Sequence, residues 1–215
     1  MSQRSYEEAC GAALAMDVVG ERWALLVVRE LIFGPKRFRD LRHGLPKASQ
    51  NVLSQRLREL EESGVVRRVE LGPPVSAHVY ELTKRGQQLE PVLIALGCWG
   101  ARVPAAHDAE MSTDAFMLLL KALYLPPAED APTLAVRLLV DADAFDVAVA
   151  PTEVRVTRGA RVDVHATMRA DVRTLWRLIF TDLTVPAAID AGELELTGDP
   201  AAAQRFFRLF GLPPE

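Results

Sequence analysis

Cysteine is scarce: Cys10 and Cys98 are the two in 215 residues. That excludes a disulfide-stapled scaffold and fits a reducing compartment. No stretch approaches the roughly 18 consecutive apolar residues of a membrane span. The opening Met-Ser-Gln-Arg-Ser-Tyr-Glu-Glu lacks the apolar core of a signal peptide. A cytoplasmic chain without membrane insertion is the expectation. Phosphate-binding Gly-x-x-x-x-Gly-Lys, dinucleotide-binding Gly-x-Gly-x-x-Gly and the nucleophile elbow Gly-x-Ser-x-Gly are all missing. The four histidines, His43, His78, His107 and His165, stand apart from one another and from both cysteines, so no local metal-ligand spacing exists. The sequence therefore points away from an enzyme and implies no cofactor and no metal.

What is present supports packed domains. Hydrophobic residues make up 49% of the chain, enough for one large or two small cores. The net charge of −4 is unevenly divided. Residues 1–105 carry 15 Lys and Arg against 12 Asp and Glu, whereas residues 106–215 carry 10 against 17. A mildly basic half joined to an acidic half suits a polyanion reader linked to a part that avoids the polyanion.

The most informative stretch is Ser49-Gln50-Asn51-Val52-Leu53-Ser54-Gln55-Arg56-Leu57-Arg58-Glu59-Leu60. Leu53, Leu57 and Leu60 recur at helical spacing and form an apolar stripe. The other side carries Gln50, Asn51, Ser54, Gln55 and Arg58, rich in amides and short of acids. Such groups read base edges and touch phosphates. Ser49 occupies an N-cap position after the turn residues Gly44 and Pro46. Upstream, residues 5–16 and then Val18 to Phe33 read as helical, with a short helix over Phe38–Arg42. Downstream, Val65–Leu71 and His78–Thr83 read as strands separated by Gly72-Pro73-Pro74, and Thr83 caps a long helix running from Lys84 to Arg102. Helix, tight turn, helix and hairpin make a winged helix-turn-helix.

Residues 10–102 resemble the HxlR-type winged-helix regulators, relatives of the MarR group. The resemblance lies in Gly20-Glu21-Arg22-Trp23, Arg29-Glu30-Leu31, Arg37-Phe38 with Leu41, Ser49 with Val52-Leu53, Arg56-Leu57 with Leu60, Gly64-Val65-Val66, Tyr80-Glu81-Leu82-Thr83, Pro91-Val92-Leu93 and Trp99-Gly100. It implies a homodimeric transcription regulator, a repressor more readily than an activator, on a pseudo-palindromic double-stranded DNA site. The first and last helices of the domain would form the dimer interface. On this reading Gln50, Asn51, Ser54 and Gln55 meet base edges, Arg56 and Arg58 reach bases or phosphates, Lys36, Arg37, Lys47, Arg67 and Arg68 touch backbone, and the N-cap Ser49 belongs to the same DNA-binding set. Members of this family often carry a cysteine near the N-terminus followed by proline. Cys10 holds that place, followed here by Gly11, and is the candidate for redox sensing.

Pro104–Glu110 is small, polar and proline-broken, and marks a boundary between domains at 1–105 and 112–215. The second half reads as α+β, with an apolar helix from Asp114 to Leu125 ended by Pro126-Pro127. Strands over Thr133–Val140, Asp146–Ala150, Glu153–Arg158 and Val162–Thr167 form an antiparallel sheet packed by helices, followed by a helix capped by Asp171, a strand Glu193–Thr197 and a helix from Asp199-Pro200. Its tail, Ala187 to Pro200 followed by a Phe-rich helix, resembles sterol-carrier-protein-like domains. That resemblance implies an apolar or lipid-like effector, with Phe116, Leu120, Trp176, Phe180, Phe207 and Phe210 as pocket residues. The alternative is a lipid carrier or dimerisation module whose winged helix binds protein.

Overall fold

The computed structural model describes residues 5–72, 77–104, 110–126, 133–159 and 163–212. The break read at Pro73-Pro74, the linker residues Ala105–Ala109, Pro127 and the start of a strand at Val162 lie outside these. Backbone contacts divide the chain into two compact units, Met1–Leu93 and Ile94–Glu215.

The first unit holds α1 (Gly11–Val19), α2 (Ala24–Leu31), α3 (Phe38–Gly44), α4 (Gln50–Glu62), β1 (Val66–Leu71), β2 (Ala77–Leu82), α5 (Lys84–Gln87) and the start of α6 (Glu90–Gly100). Its core is aliphatic. Val27, Val28, Leu31, Leu41, Leu45, Leu53, Leu57, Leu60 and Val65 are all buried, the inward faces of helices whose apolar residues recur every three or four positions. The helical pattern read from Val18 to Phe33 is broken by a corner at Gly20–Trp23. Trp23 stands there at φ +78°, a left-handed conformation rare for a bulky residue. The helix expected from Lys84 to Arg102 is two helices. Pro91 has no N–H to donate into a continuous helix, and it sits instead in the first turn of α6, where that donor is not needed.

β1 and β2 pair antiparallel from Val66↔Leu82 to Leu71↔Ala77. The loop before α3 joins them: Lys36 N–H donates to the Tyr80 carbonyl at 3.0 Å, and Tyr80 N–H donates back at 2.8 Å. Beneath that loop lies Glu30, fully buried. Its carboxylate accepts from the Arg29 guanidinium at 2.8 Å and from Lys36 Nζ at 2.9 Å. A Cβ on Gly44 would fall 2.1 Å from Glu30 Oε2, so glycine at the end of α3 leaves room for the carboxylate.

The second unit holds the remainder of α6, then α7 (Thr113–Ala122), β3 (Leu134–Val140), β4 (Asp143–Ala150), β5 (Glu153–Arg158), β6 (Ala166–Arg169), α8 (Val172–Phe180), α9 (Val185–Asp190), β7 (Glu195–Gly198) and α10 (Pro200–Phe207). The end of α6 belongs here because it packs on α7: Cys98 Sγ donates to the Ala122 carbonyl at 2.7 Å. Side chains of Ser112, Asp171, Thr184 and Asp199 accept backbone N–H groups at the starts of α7, α8, α9 and α10, removing orphan donors at each end.

The strand order is β5-β4-β3-β6-β7. β3–β4, β4–β5 and β6–β7 are antiparallel, but β3–β6 is parallel. The sheet is thus mixed, where an antiparallel sheet was expected. Alternation along a strand reports which face is buried and carries no information about the direction of its neighbour. Leu134, Val136, Leu138 and Val140 on β3 and Val147 and Val149 on β4 are buried, and α7 and α10 pack against the sheet. The whole is α+β.

Candidate nucleic-acid interface

α4 is set in place at both ends. Ser49 Oγ accepts the Val52 N–H at 3.3 Å. At the other end Gly64 turns the chain at φ +69°, and Thr83 Oγ1 donates to the Gly64 carbonyl at 2.6 Å while Arg85 Nη1 donates to that of Ser63 at 2.8 Å. Gly86 lets α5 approach this joint, since a Cβ there would meet the Val65 carbonyl oxygen at 2.1 Å. Leu53, Leu57 and Leu60 face the core, which turns Asn51, Gln55 and Arg58 outward along one stripe.

The outward surface of α4 is polarised along its length. Gln50, Asn51 and Val52 are exposed and no acid lies in the first turn. Glu59, Glu61 and Glu62 gather in the last turns. A recognition helix offers its N-terminal residues to base edges, and the acid-free end is the N-terminal one. The helix dipole adds partial positive charge there.

The sequence-derived residues separate into groups. Gln50, Asn51, Arg58, Lys47 and Ser49 are exposed, with Ser54 and Gln55 half-buried. Arg68 is exposed on β1, and Arg67, 66% exposed, pairs with Glu81 across the hairpin. Arg37 is half-buried at the start of α3, where its N–H donates to Asp40 Oδ2 at 3.2 Å. Two of these residues are engaged by carboxylates of this chain. Lys36, expected on the DNA backbone, is only 13% exposed and held by buried Glu30. Arg56, expected to reach bases or phosphates, is 14% exposed and turned to Glu59 at 2.6 Å and Glu21 at 3.6 Å. Both cations lie against carboxylates of this chain.

Arg39 and Arg42 stand outside the sequence-derived set, and His43 lies with them. They are exposed on α3, on the side opposite buried Leu41. With Leu41 in the core, helical spacing turns Arg39 and His43 outward.

Cys10 is exposed at the N-cap of α1. The backbone N–H of Ala13, and after it that of Ala12, favour the thiolate and hold its pKa below the ordinary thiol value. Cys98 is half-buried.

In the second unit Phe116, Leu120, Phe207 and Phe210 are at most 5% exposed. The Phe206 ring lies 5.3 Å from that of Phe207 and 5.0 Å from that of Phe210. Side chains lining an open tunnel would keep area that a water-sized probe can reach. These four keep almost none. Trp176 and Phe180 on α8 have ring centroids 5.1 Å apart and planes tilted by 38°, with Trp176 39% exposed. Among the described residues no cluster of His, Cys, Asp and Glu could hold a metal ion, and no helix is long and apolar enough to cross a membrane.

Residues 18–108 match the HxlR-like helix-turn-helix family. The chain is 38% identical over 96 residues to the uncharacterized HTH-type transcriptional regulator YdeP of Bacillus subtilis strain 168, covering 44% of this chain and 74% of that one. It is 33% identical over 119 residues to YtcD, another such regulator of the same organism, covering 55% and 90%. It is 40% identical over 102 residues to Rv3095 of Mycobacterium tuberculosis, covering 46% and 61%. With a winged helix-turn-helix in its first unit and these relatives aligned across it, the chain belongs to the HxlR-like helix-turn-helix family.

Proposed function

We propose that the protein is a transcriptional repressor that binds double-stranded DNA as a homodimer, the N-terminal half of α4 in the major groove and the β1–β2 hairpin on flanking backbone. The observation that carries this reading is the exposed, acid-free Gln50–Asn51 end of α4, flanked by Lys47, Arg39 and Arg42 on one side of the sequence and by Arg67 and Arg68 on the hairpin. Amides suit adenine and Arg suits guanine, each good bidentate contact discriminating by about 1–3 kcal/mol. Arg39, Arg42, Lys47 and Arg68 supply charge to phosphates.

Dimerisation is supported by apolar groups left in water. Leu14 and Met16 on α1 and Val92, Leu96 and Trp99 on α6 are exposed, Trp99 to 75%. A groove of about 340 Å³ between α1 and the α5–α6 junction is lined by Leu14, Val18, Val65 and Leu89. Large apolar side chains collected on two helices are the composition of an interface core. A twofold dimer reads two half-sites about one helical turn, roughly 10 base pairs, apart.

Two kinds of control are compatible with this chain. An exposed Cys10 with a lowered pKa suits a thiol sensor. An apolar effector acting through the second unit would have the partly exposed Trp176–Phe180 pair as a contact surface, and must bind two dimer arrangements unequally to act at all.

The test is selection of preferred duplexes from a randomised pool by the full chain, followed by binding of the selected duplex and a scrambled one. Gln55→Ala is expected to lower the ratio between the two. Gln55→Glu is expected to abolish binding to both. A chain that binds neither duplex but retains a protein partner through α4 supports the protein-contact alternative.

A further inference from the structure

α4 carries a continuous chain of polar contacts that the DNA-reading proposal leaves unexplained. Arg56 Nη1 lies 2.6 Å from one Glu59 oxygen, Oε2, and 3.6 Å from Glu21 Oε2. The other Glu59 oxygen, Oε1, accepts from Gln55 Nε2 at 2.7 Å. Gln55 Oε1 accepts from Arg58 Nη2 at 2.9 Å. Glu21, Arg56, Glu59, Gln55 and Arg58 are therefore linked in order, from the corner between α1 and α2 to the outward stripe of α4.

We propose that Glu21 and Arg56 are positioning residues for base recognition: through Glu59 they fix the amide of Gln55 and the guanidinium of Arg58 before DNA arrives. The proposal rests on α4 being the DNA-reading helix. Both ends of the Gln55 amide are engaged, its N–H donor on a carboxylate and its oxygen under a guanidinium. Turning the amide over would set oxygen against carboxylate and N–H₂ against guanidinium, so one orientation is selected. Fixing a long side chain in advance removes part of the ordering cost of binding.

Arg56 is suited to this role and to no direct contact with DNA. Its side chain is 14% exposed, and its Nε is buried without a hydrogen-bond partner among the described residues. A solvated arginine would swing out to satisfy that N–H. Two carboxylates hold it in, which leaves the donor unsatisfied. Glu21, in turn, stands on a corner with little freedom. A Cβ on Gly20 would fall 2.5 Å from the Met16 carbonyl oxygen. Trp23 is locked at φ +78° with the Arg22 guanidinium 5.2 Å from its ring centroid. A rigid corner is what lets one exposed carboxylate transmit an orientation.

Selection from a duplex pool with about two helical turns randomised separates the outcomes. Gln55→Ala should flatten preference at a subset of base positions. Glu21→Gln should narrow preference at those same positions by about five-fold, within the range of a weakened bidentate contact. Affinity for a scrambled duplex, its salt dependence and the melting temperature should stay as in the unmodified chain. Arg56→Gln should match Glu21→Gln in profile, and Arg56→Lys should restore it. In the Gln55→Ala background Glu21→Gln should have no further effect. A Glu21→Gln profile that coincides with the unmodified chain, while Gln55→Ala alters it, overturns the positioning role alone. If Gln55→Ala itself changes nothing, the DNA-reading assignment of α4 fails and the positioning role with it.

Discussion

The two units use aromatic residues in opposite ways. Six of the eight phenylalanines lie in the second unit, where Phe116, Phe145 and Phe206 are fully buried. The first unit builds its core from Leu and Val and buries no Phe completely. In the first unit the informative side chains are those its core does not use: amides and cations on α4 and arginines on α3. In the second, most of the apolar residues that suggested a lipid site are buried. A polar residue on an outward helix stripe needs a reason to be there, whereas an aromatic at core spacing already has one.

That contrast can be broken most forcefully in the cores. Glu30→Ala removes the buried carboxylate that Arg29 and Lys36 engage, and breaking a buried pair in this way costs about 3–5 kcal/mol. Phe116→Ala should cost a similar amount, about 3–5 kcal/mol, if the second unit is solid there. Denaturant titrations of single-tryptophan variants check both, with Trp23 reporting the first unit and Trp176 the second. A Phe116→Ala variant of unchanged stability that gains affinity for a fatty acid would reinstate the pocket.

Next in size is Gly86→Ala. Its new methyl would meet the Val65 backbone 2.1 Å away, and overpacking of this kind costs about 1–3 kcal/mol. The same titration should show the loss in the first unit, together with weaker DNA binding as the α4 joint shifts. Smaller again is Arg68→Ala. It should weaken selected and scrambled duplexes alike and reduce the slope of log affinity against log salt by about 1. The smallest change concerns Cys10. With its pKa held below the ordinary thiol value by the α1 backbone, more of it is thiolate at a given neutral pH. Alkylation by iodoacetamide should outpace that of half-buried Cys98 and reach half its maximal rate below the pH typical of a free thiol.

Much of the first unit was legible because its signals are local. Ser49 does cap α4, Gly64 does end it, and the paired strands fall within about a residue of where β-branched composition put them. Glu59 and Arg56 show what local signals miss. Both sit on α4 at positions a helical wheel leaves ambiguous, and their roles depend on Glu21, far away in sequence. Lys36 shows the same limit: nothing local to this lysine announces the buried glutamate beneath it. In the second unit, alternation identified the buried face of β3 but not the parallel β3–β6 pairing, and α9 was passed over. Pairing direction is set by the crossover between strands, which leaves no periodicity behind.

The claim on which the rest depends is that the acid-free end of α4 reads DNA. Replacing Asn51 by Asp places a negative charge on that surface and removes an amide donor, without touching the core or the polar chain through Arg56. Gel-shift titration of Asn51→Asp against the selected duplex, with circular dichroism confirming the fold, is the direct test. We predict that affinity falls by at least about 100-fold, the scale expected when a bidentate hydrogen-bonding amide gives way to a charge that repels phosphate. Undiminished affinity would contradict the assignment.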